Sequence, residues 1–277
     1  MTAINKILVP TDFSEASKEA FKFAFDLAKK NKASLKVLHV YRADFGVPVP
    51  DMMAYQLIDL RREEAEKKMA DFVQSEPSSA NNGIEVQTVT EVGFPTDVAI
   101  EYSKNSKEAI DFIVMGSKGE HPLTDRLFGS VSTNVLMNAD CPVIAIPEKC
   151  SFSAIKNIAY ATDFKDENLE ILRRISELAK LFDAKLHCVS VDTNSSDLRD
   201  EVQKFKAMLE QLNLDAEIFK ISSDSIAEGL DGFVHENGID MVIMHRPKRK
   251  FLERLFHNSV TKQVAMNRTV PLLVFKK

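Results

Sequence analysis

Glycine, cysteine and long apolar runs are all in short supply in this 277-residue chain. The three cysteines, Cys141, Cys150 and Cys188, form no C-x-x-C pair and are odd in number. That excludes a disulfide framework and points to reduced thiols. No stretch approaches the ~18 consecutive apolar residues of a membrane span. The opening MTAINKILVPTDFS has neither the apolar core nor the small-residue cleavage site of a signal peptide. A basic excess is missing as well. With 41 acidic residues against 36 basic, the net charge is −5, unlike that of a dedicated nucleic-acid binder. The six histidines (His39, His121, His187, His235, His245, His257) include no H-x3-H pair, so no metal site is read. No G-x-S-x-G elbow is present either, and no catalytic residue is singled out. These absences together lead to the expectation of a cytoplasmic protein that engages neither nucleic acid nor membrane.

What is present is an ordinary globular composition, 44% hydrophobic and 28% charged, with chain enough for two domains of normal size. The chain is written twice. With Thr11–Asp12–Phe13 set on Thr162–Asp163–Phe164, the segment 7–40 runs without gaps against 158–191, an offset of 151. Further on, AIDFIVMG (109–116) matches GIDMVIMH (238–245), and CPVIAI (141–146) matches VPLLVF (270–275), at an offset of 129. The offset drops by 22 because the first copy carries an extra segment within RADFGVPVPDMMAYQLIDLRREEAEKK (42–68). Two domains are therefore expected, 1–148 and 152–277, joined by a short stretch that is not rich in glycine or serine.

Within each copy, short apolar runs (KILVP, LKVLHVY, EVQTVTEV, FIVMG and VIAIP in the first) alternate with helical patterns. Ala16, Ala20, Phe23, Ala24 and Leu27 recur at three- and four-residue spacing and define one apolar helix face. Ser14 is placed to cap that helix and Asp166 to cap its counterpart. Alternation of this kind predicts an α/β fold, a parallel sheet with helices on both faces. The strands read as near-continuously apolar, as in a sheet buried on both sides.

Three of the nine glycines fall in one stretch, GSKGEHPLTDRLFGSVS (116–132), after a strand and before a helix. In an open parallel sheet, ligands gather at the carboxyl ends of the strands. Gly116 and Gly119 there would allow positive φ and close backbone approach to a ligand. Gly129–Ser130 opens a helix whose unpaired N–H groups and partial positive charge suit phosphate, with hydroxyls at Ser130 and Ser132 adding donors. By physics alone a phosphate cradle and a turn that serves only chain geometry both remain open. Neither G-x-x-x-x-G-K-S/T nor G-x-G-x-x-G occurs.

The form G-x2-G-x9-G-S/T resembles the nucleotide motif of the universal stress protein family. VPTDFSEAS (9–17), GFPTDVAI (93–100) and CPVIAIP (141–147) resemble that family's opening, its third strand–helix junction and its closing strand, in the same order. The likeness covers essentially the whole chain as two tandem copies. It implies two five-stranded parallel sheets of order 3-2-1-4-5, of the Rossmann-like, adenine nucleotide alpha hydrolase-like kind. It also implies ATP as the ligand, with or without Mg²⁺. Carried over, Pro10 and Asp12 would lie at adenine or ribose, and Val40 would touch adenine through its backbone. Met115, Gly116 and Gly119 would line the ribose and phosphate turn, and Gly129, Ser130, Val131 and Ser132 would hold the phosphates. Asp12 has an equal claim as an Asx-turn residue, because Asp163 repeats it.

The second copy departs from the motif. His245, Lys248 and Asn258 stand where Gly116, Gly119 and Gly129 stood, and Ala161 where Pro10 stood. ATP is therefore expected in the first copy only. The run HRPKRKFLER (245–254) is either an anion-binding loop or a solvated one, and Met52, Met53 and Tyr55 of the insert either a lid or ordinary packing. The last strand of each copy would be an apolar sheet edge. Relatives pair such edges across a dimer, which implies an intramolecular pseudo-dimer here, with a homodimer also open. Three functions follow: an ATP-binding stress-response regulator read by a protein partner, a slow ATP hydrolase or phosphotransferase, or an interaction scaffold that binds no nucleotide.

Overall fold

The computed structural model describes residues 4–42, 51–75, 83–118, 129–148, 150–165, 168–193, 198–245 and 270–276. The chain divides into two compact units that meet in sequence at Lys149 and Cys150.

The first unit runs β1 (Lys6–Thr11), α1 (Glu15–Asn31), β2 (Ser34–Tyr41), α2 (Asp51–Ser75), β3 (Val86–Val92), α3 (Pro95–Lys104), β4 (Phe112–Gly116), α4 (Ser130–Asn138) and β5 (Val143–Ile146). Its strands are parallel and lie in the order β3-β2-β1-β4-β5. The switch point falls beside β1, whose neighbours are β2 on one side and β4 on the other. The second unit repeats the plan with β6 (Asn157–Ala161), α5 (Leu169–Phe182), β7 (Lys185–Asp192), α6 (Arg199–Gln211), β8 (Ala216–Ser222), α7 (Ile226–Glu236), β9 (Met241–His245) and β10 (Leu272–Phe275). Its parallel order is β8-β7-β6-β9-β10, again 3-2-1-4-5 within the unit.

The central strands are buried on both faces, as their apolar sequences dictate: Ile7, Leu8, Val9, Phe112, Ile113, Val114, Val143 and Ile144 are inaccessible or nearly so. β3 and β8 differ from that expectation. They mix half-buried and exposed residues, with none buried, because each pairs through one edge only within its unit. All five expected face residues of α1 are buried, and Phe21 and Phe25 are buried as well. Phe21 meets Phe72 of α2 ring to ring at 5.6 Å, so α1 packs on a helix as well as on the sheet. Burial pushes the Cys141 thiol, two residues ahead of β5, up to about 12, which makes it an inert core group.

The extra segment of the first copy enters the second helix, where α2 has 25 residues against 13 in α6. Its last turns bury Ala65, Met69 and Phe72, while Met53, Tyr55 and Leu60 stay exposed. The Met52 side chain lies outside the described residues. No helix among the described residues is long and apolar enough to cross a membrane.

Four local devices recur in both units. Phe13 and Phe164 take left-handed backbone (φ 68° and 61°), each N–H donating to the hydroxyl of the threonine two residues earlier at 3.0 Å. Lys32 and Asp183 end α1 and α5 in the same left-handed region (φ 57° for both). Ala109 and Gly238 share it ahead of β4 and β9 (φ 49° and 57°). Asp111 Oδ2 accepts the N–H groups of Asn5 and Lys6, and Asp240 Oδ2 those of Lys156 and Asn157, tying strand four to strand one in each unit.

Candidate functional site at the carboxyl ends of strands one, two and four

The sequence-predicted residues that are described converge on one end of the first sheet. Pro10 is the penultimate residue of β1, and Val40 that of β2. Met115 and Gly116 end β4, and Gly129 to Ser132 open α4. Leu8 is level with Ile113 in the β1–β4 register, and continuing that register places Pro10 level with Met115. Gly119 lies outside the described residues.

The turn after β1 is built by Asp12. Its Oδ1 accepts from the Ser14 N–H (3.2 Å), the Ser14 hydroxyl (2.6 Å) and the Ser17 hydroxyl (2.5 Å). The Asx-turn reading of Asp12 is therefore realised, and Asp163 repeats it by accepting the Lys165 N–H at 3.0 Å. Ser14 caps α1 by accepting the Ser17 N–H, as expected. In the second unit the capping residue is Asn168, which accepts the Ile171 N–H; Asp166, the expected cap, lies outside the described residues. The amide oxygen of Asn168 reaches the third helical N–H as a cap must.

Gly116 meets a packing constraint that its sequence context does not reveal. It does not adopt positive φ, and neither does Gly129 (φ −64°). A Cβ on Gly116 would lie 2.9 Å from the carbonyl carbon and 3.0 Å from the Cβ of Ala16. The residue is glycine because α1 passes directly against the end of β4. Ser132 also departs from expectation. It is 4% exposed, and its hydroxyl donates to the Gly116 carbonyl at 2.8 Å. The Gly129 N–H donates to the Ser117 carbonyl at 2.8 Å, so two hydrogen bonds tie the start of α4 to the end of β4.

The start of α4 is electrostatically unlike those of α1, α3, α5, α6 and α7. Side chains cap α1, α5 and α7 (Ser14, Asn168, Ser225), and acids stand in the first turns of α3 and α6 (Asp97; Asp200 and Glu201). Among the described residues, α4 has neither a capping side chain nor an acidic residue in its first turn. Yet the Gly129 backbone (φ −64°, ψ 161°) is nearly that of the capping Ser14 (φ −65°, ψ 163°). A capping serine would fit there without strain. Glycine leaves the helix's first N–H groups and its partial positive charge without a capping side chain, which favours an anion.

Two residues beside this turn were named in the sequence reading without a place at the site. His39 Nδ1 lies 2.9 Å from the Thr11 carbonyl, and its ring lies 4.3 Å from that of Phe13. A carbonyl can only accept, so Nδ1 carries the proton. Burial lowers the His39 pKa below its ordinary 6.5, against the opposing pull of the Thr11 carbonyl and the Asp12 charge. The other residue is Ala16, and only the repeated T-D-F ahead of both helices signalled a special turn here.

In the second unit the equivalent of Gly116 is His245, the last residue of β9, whose ring lies 5.0 Å from that of Phe275. Lys248, Asn258, Ser259 and the basic run after His245 lie outside the described residues.

Residues 3–147 and again 154–276 match the model of the Universal stress protein family. A universal stress protein of Methanocaldococcus jannaschii is 32% identical over 142 residues, spanning 51% of this chain and 81% of that protein. One from Synechocystis sp. is 22% identical over 294 residues, 99% of this chain and 100% of that one, so it shares the tandem length. Among solved structures, a universal stress protein from Archaeoglobus fulgidus superposes with a TM-score of 0.75 at 22% identity, covering 100% of this chain and 99% of its own, a likeness of fold. With both halves matched by one family model and the same strand order in each, the chain belongs to the universal stress protein family.

Proposed function

We propose that the chain is an ATP-binding regulator in which the first unit alone holds nucleotide. The phosphates sit at the uncapped start of α4, against the main chain of Gly129, Ser130 and Val131. The adenosine end lies towards Pro10, Val40 and Met115. Asp12 borders the ribose while holding the α1 turn. The single observation behind this reading is that start of α4, a helix terminus with neither a capping side chain nor a first-turn acid. His245 in place of Gly116 supports the restriction to the first unit, because an imidazole packed on Phe275 takes up room at the strand end. Bound nucleotide would select a conformation of the first unit that a protein partner reads.

One observation favours a second reading, a scaffold without nucleotide. Two of the expected phosphate donors, the Gly129 N–H and the Ser132 hydroxyl, are already engaged with carbonyls. Calorimetric titration of the full-length protein with ATP, with and without Mg²⁺, separates the two. The regulator reading expects saturable binding at one ATP per chain. No heat of binding, together with no adenine nucleotide released when the freshly purified protein is denatured, would establish the scaffold. Steady release of phosphate during the titration would mark an ATP hydrolase instead.

A further inference from the structure

We infer that Ser132 is a positioning residue that holds the α4 terminus in place for phosphate, and is not itself a phosphate ligand. The inference rests on the nucleotide reading above and deepens it. Ser132 is almost wholly buried, and its hydroxyl is committed to the Gly116 carbonyl at 2.8 Å. Gly116 also lies so near the Ala16 main chain that a Cβ on it would stand 2.9 Å from the Ala16 carbonyl carbon. Alongside, the Ser117 carbonyl accepts the Gly129 N–H, and the Gly129 carbonyl accepts the Thr133 N–H at 3.0 Å, the first hydrogen bond within the helix. Ala16, Gly116 and Ser132 therefore form a continuous strut from α1 through β4 to the first turn of α4. That strut fixes where the open N–H groups stand relative to the strand end, and phosphate affinity depends on their placement. Ser130, by contrast, is exposed at the helix start and is the hydroxyl placed to meet a ligand directly.

The test compares the full-length wild type with Ser132→Ala, Ser132→Thr and Ser130→Ala. The readouts are affinity for ATP, affinity for adenosine, and amide hydrogen exchange in the absence of nucleotide. Ser132→Ala should weaken ATP about tenfold, the loss of one buried hydrogen bond, and leave adenosine unchanged. It should speed exchange at the Gly129 and Thr133 amides while the Ala139 amide, which caps the far end of α4, stays protected. Ser132→Thr, which keeps the hydroxyl, should restore all three. Ser130→Ala should weaken ATP without changing exchange. The inference is overturned if Ser132→Ala weakens ATP with exchange unaltered, which would make Ser132 a direct ligand. It is equally overturned if ATP and adenosine weaken alike, or if nothing changes. Should Ser132→Ala not fold, Ser132→Cys takes its place in the same comparison. A wild type that binds no ATP would remove the nucleotide reading, and exchange at Gly129 and Thr133 would then decide alone whether Ser132 holds the helix.

Discussion

The two halves of the chain are a controlled comparison of one fold. Features that serve the fold appear in both: the left-handed Phe13 and Phe164, the αL helix ends at Lys32 and Asp183, and the strand ties of Asp111 and Asp240. Features found in one half only are where function has room to differ. Asp12 passes to the structural side of this division, since Asp163 makes the same turn. The Gly116 and His245 pair falls on the other side, with backbone packed on Ala16 in one half and an imidazole packed on Phe275 in its twin.

Exchanging these differences tests the comparison. The largest effect should come from giving the first half its twin's residue, Gly116→His. A Cβ only 2.9 Å from the Ala16 main chain forces α1 and β4 apart, costing about 1–3 kcal/mol as overpacking does. Urea unfolding should show a lower midpoint for the first unit. An unchanged midpoint would mean that Gly116 owes nothing to Ala16.

A smaller effect separates His39 from its counterpart Ser190. The folded-state pKa of His39 is lowered by burial, so the unfolded chain binds a proton that the folded one refuses. Stability linked to His39 is thus present above pH 6.5, the ordinary histidine value, and is lost as pH falls towards the folded-state value. Unfolding midpoints of the wild type should decline across that window more steeply than those of His39→Gln. Parallel declines would show that His39 is not strained by burial.

The smallest effect concerns one position written with two residues. Ala109 sits at φ 49° where Gly238 sits at φ 57°. Left-handed backbone disfavours alanine, and the flexibility of glycine in the unfolded chain offsets part of the gain. Ala109→Gly should stabilise the first unit by roughly 0.5–1 kcal/mol, and Gly238→Ala should destabilise the second by a similar amount. Thermal melting of both variants checks the sign.

The duplication, the strand–helix alternation, the α1 face and the Ser14 cap were legible in sequence because each depends on spacing within a few residues. Strand order came from the family resemblance and proved the same in both units. Local pattern could not reveal why Gly116 is glycine, because its reason, Ala16, lies 100 residues earlier and meets it only once the sheet is formed. Ser132 read as a free donor for the same cause: its acceptor is a strand carbonyl 16 residues back. The exposed halves of β3 and β8 follow from edge position, which apolar content alone does not report. The absence of a cap at Gly129 could be read from sequence, yet its meaning emerged only when its backbone proved to match that of Ser14.

That match supplies the most direct test. Gly129→Asp places a carboxylate on backbone already shaped for a cap, where it can accept the open N–H groups of α4 and repel phosphate. The account predicts that calorimetry with ATP finds one site per wild-type chain and an affinity at least about a hundredfold weaker in the variant, whose melting temperature is equal or higher. Equal ATP affinity in the two proteins, with the variant folded, would contradict the claim that the start of α4 is the phosphate seat.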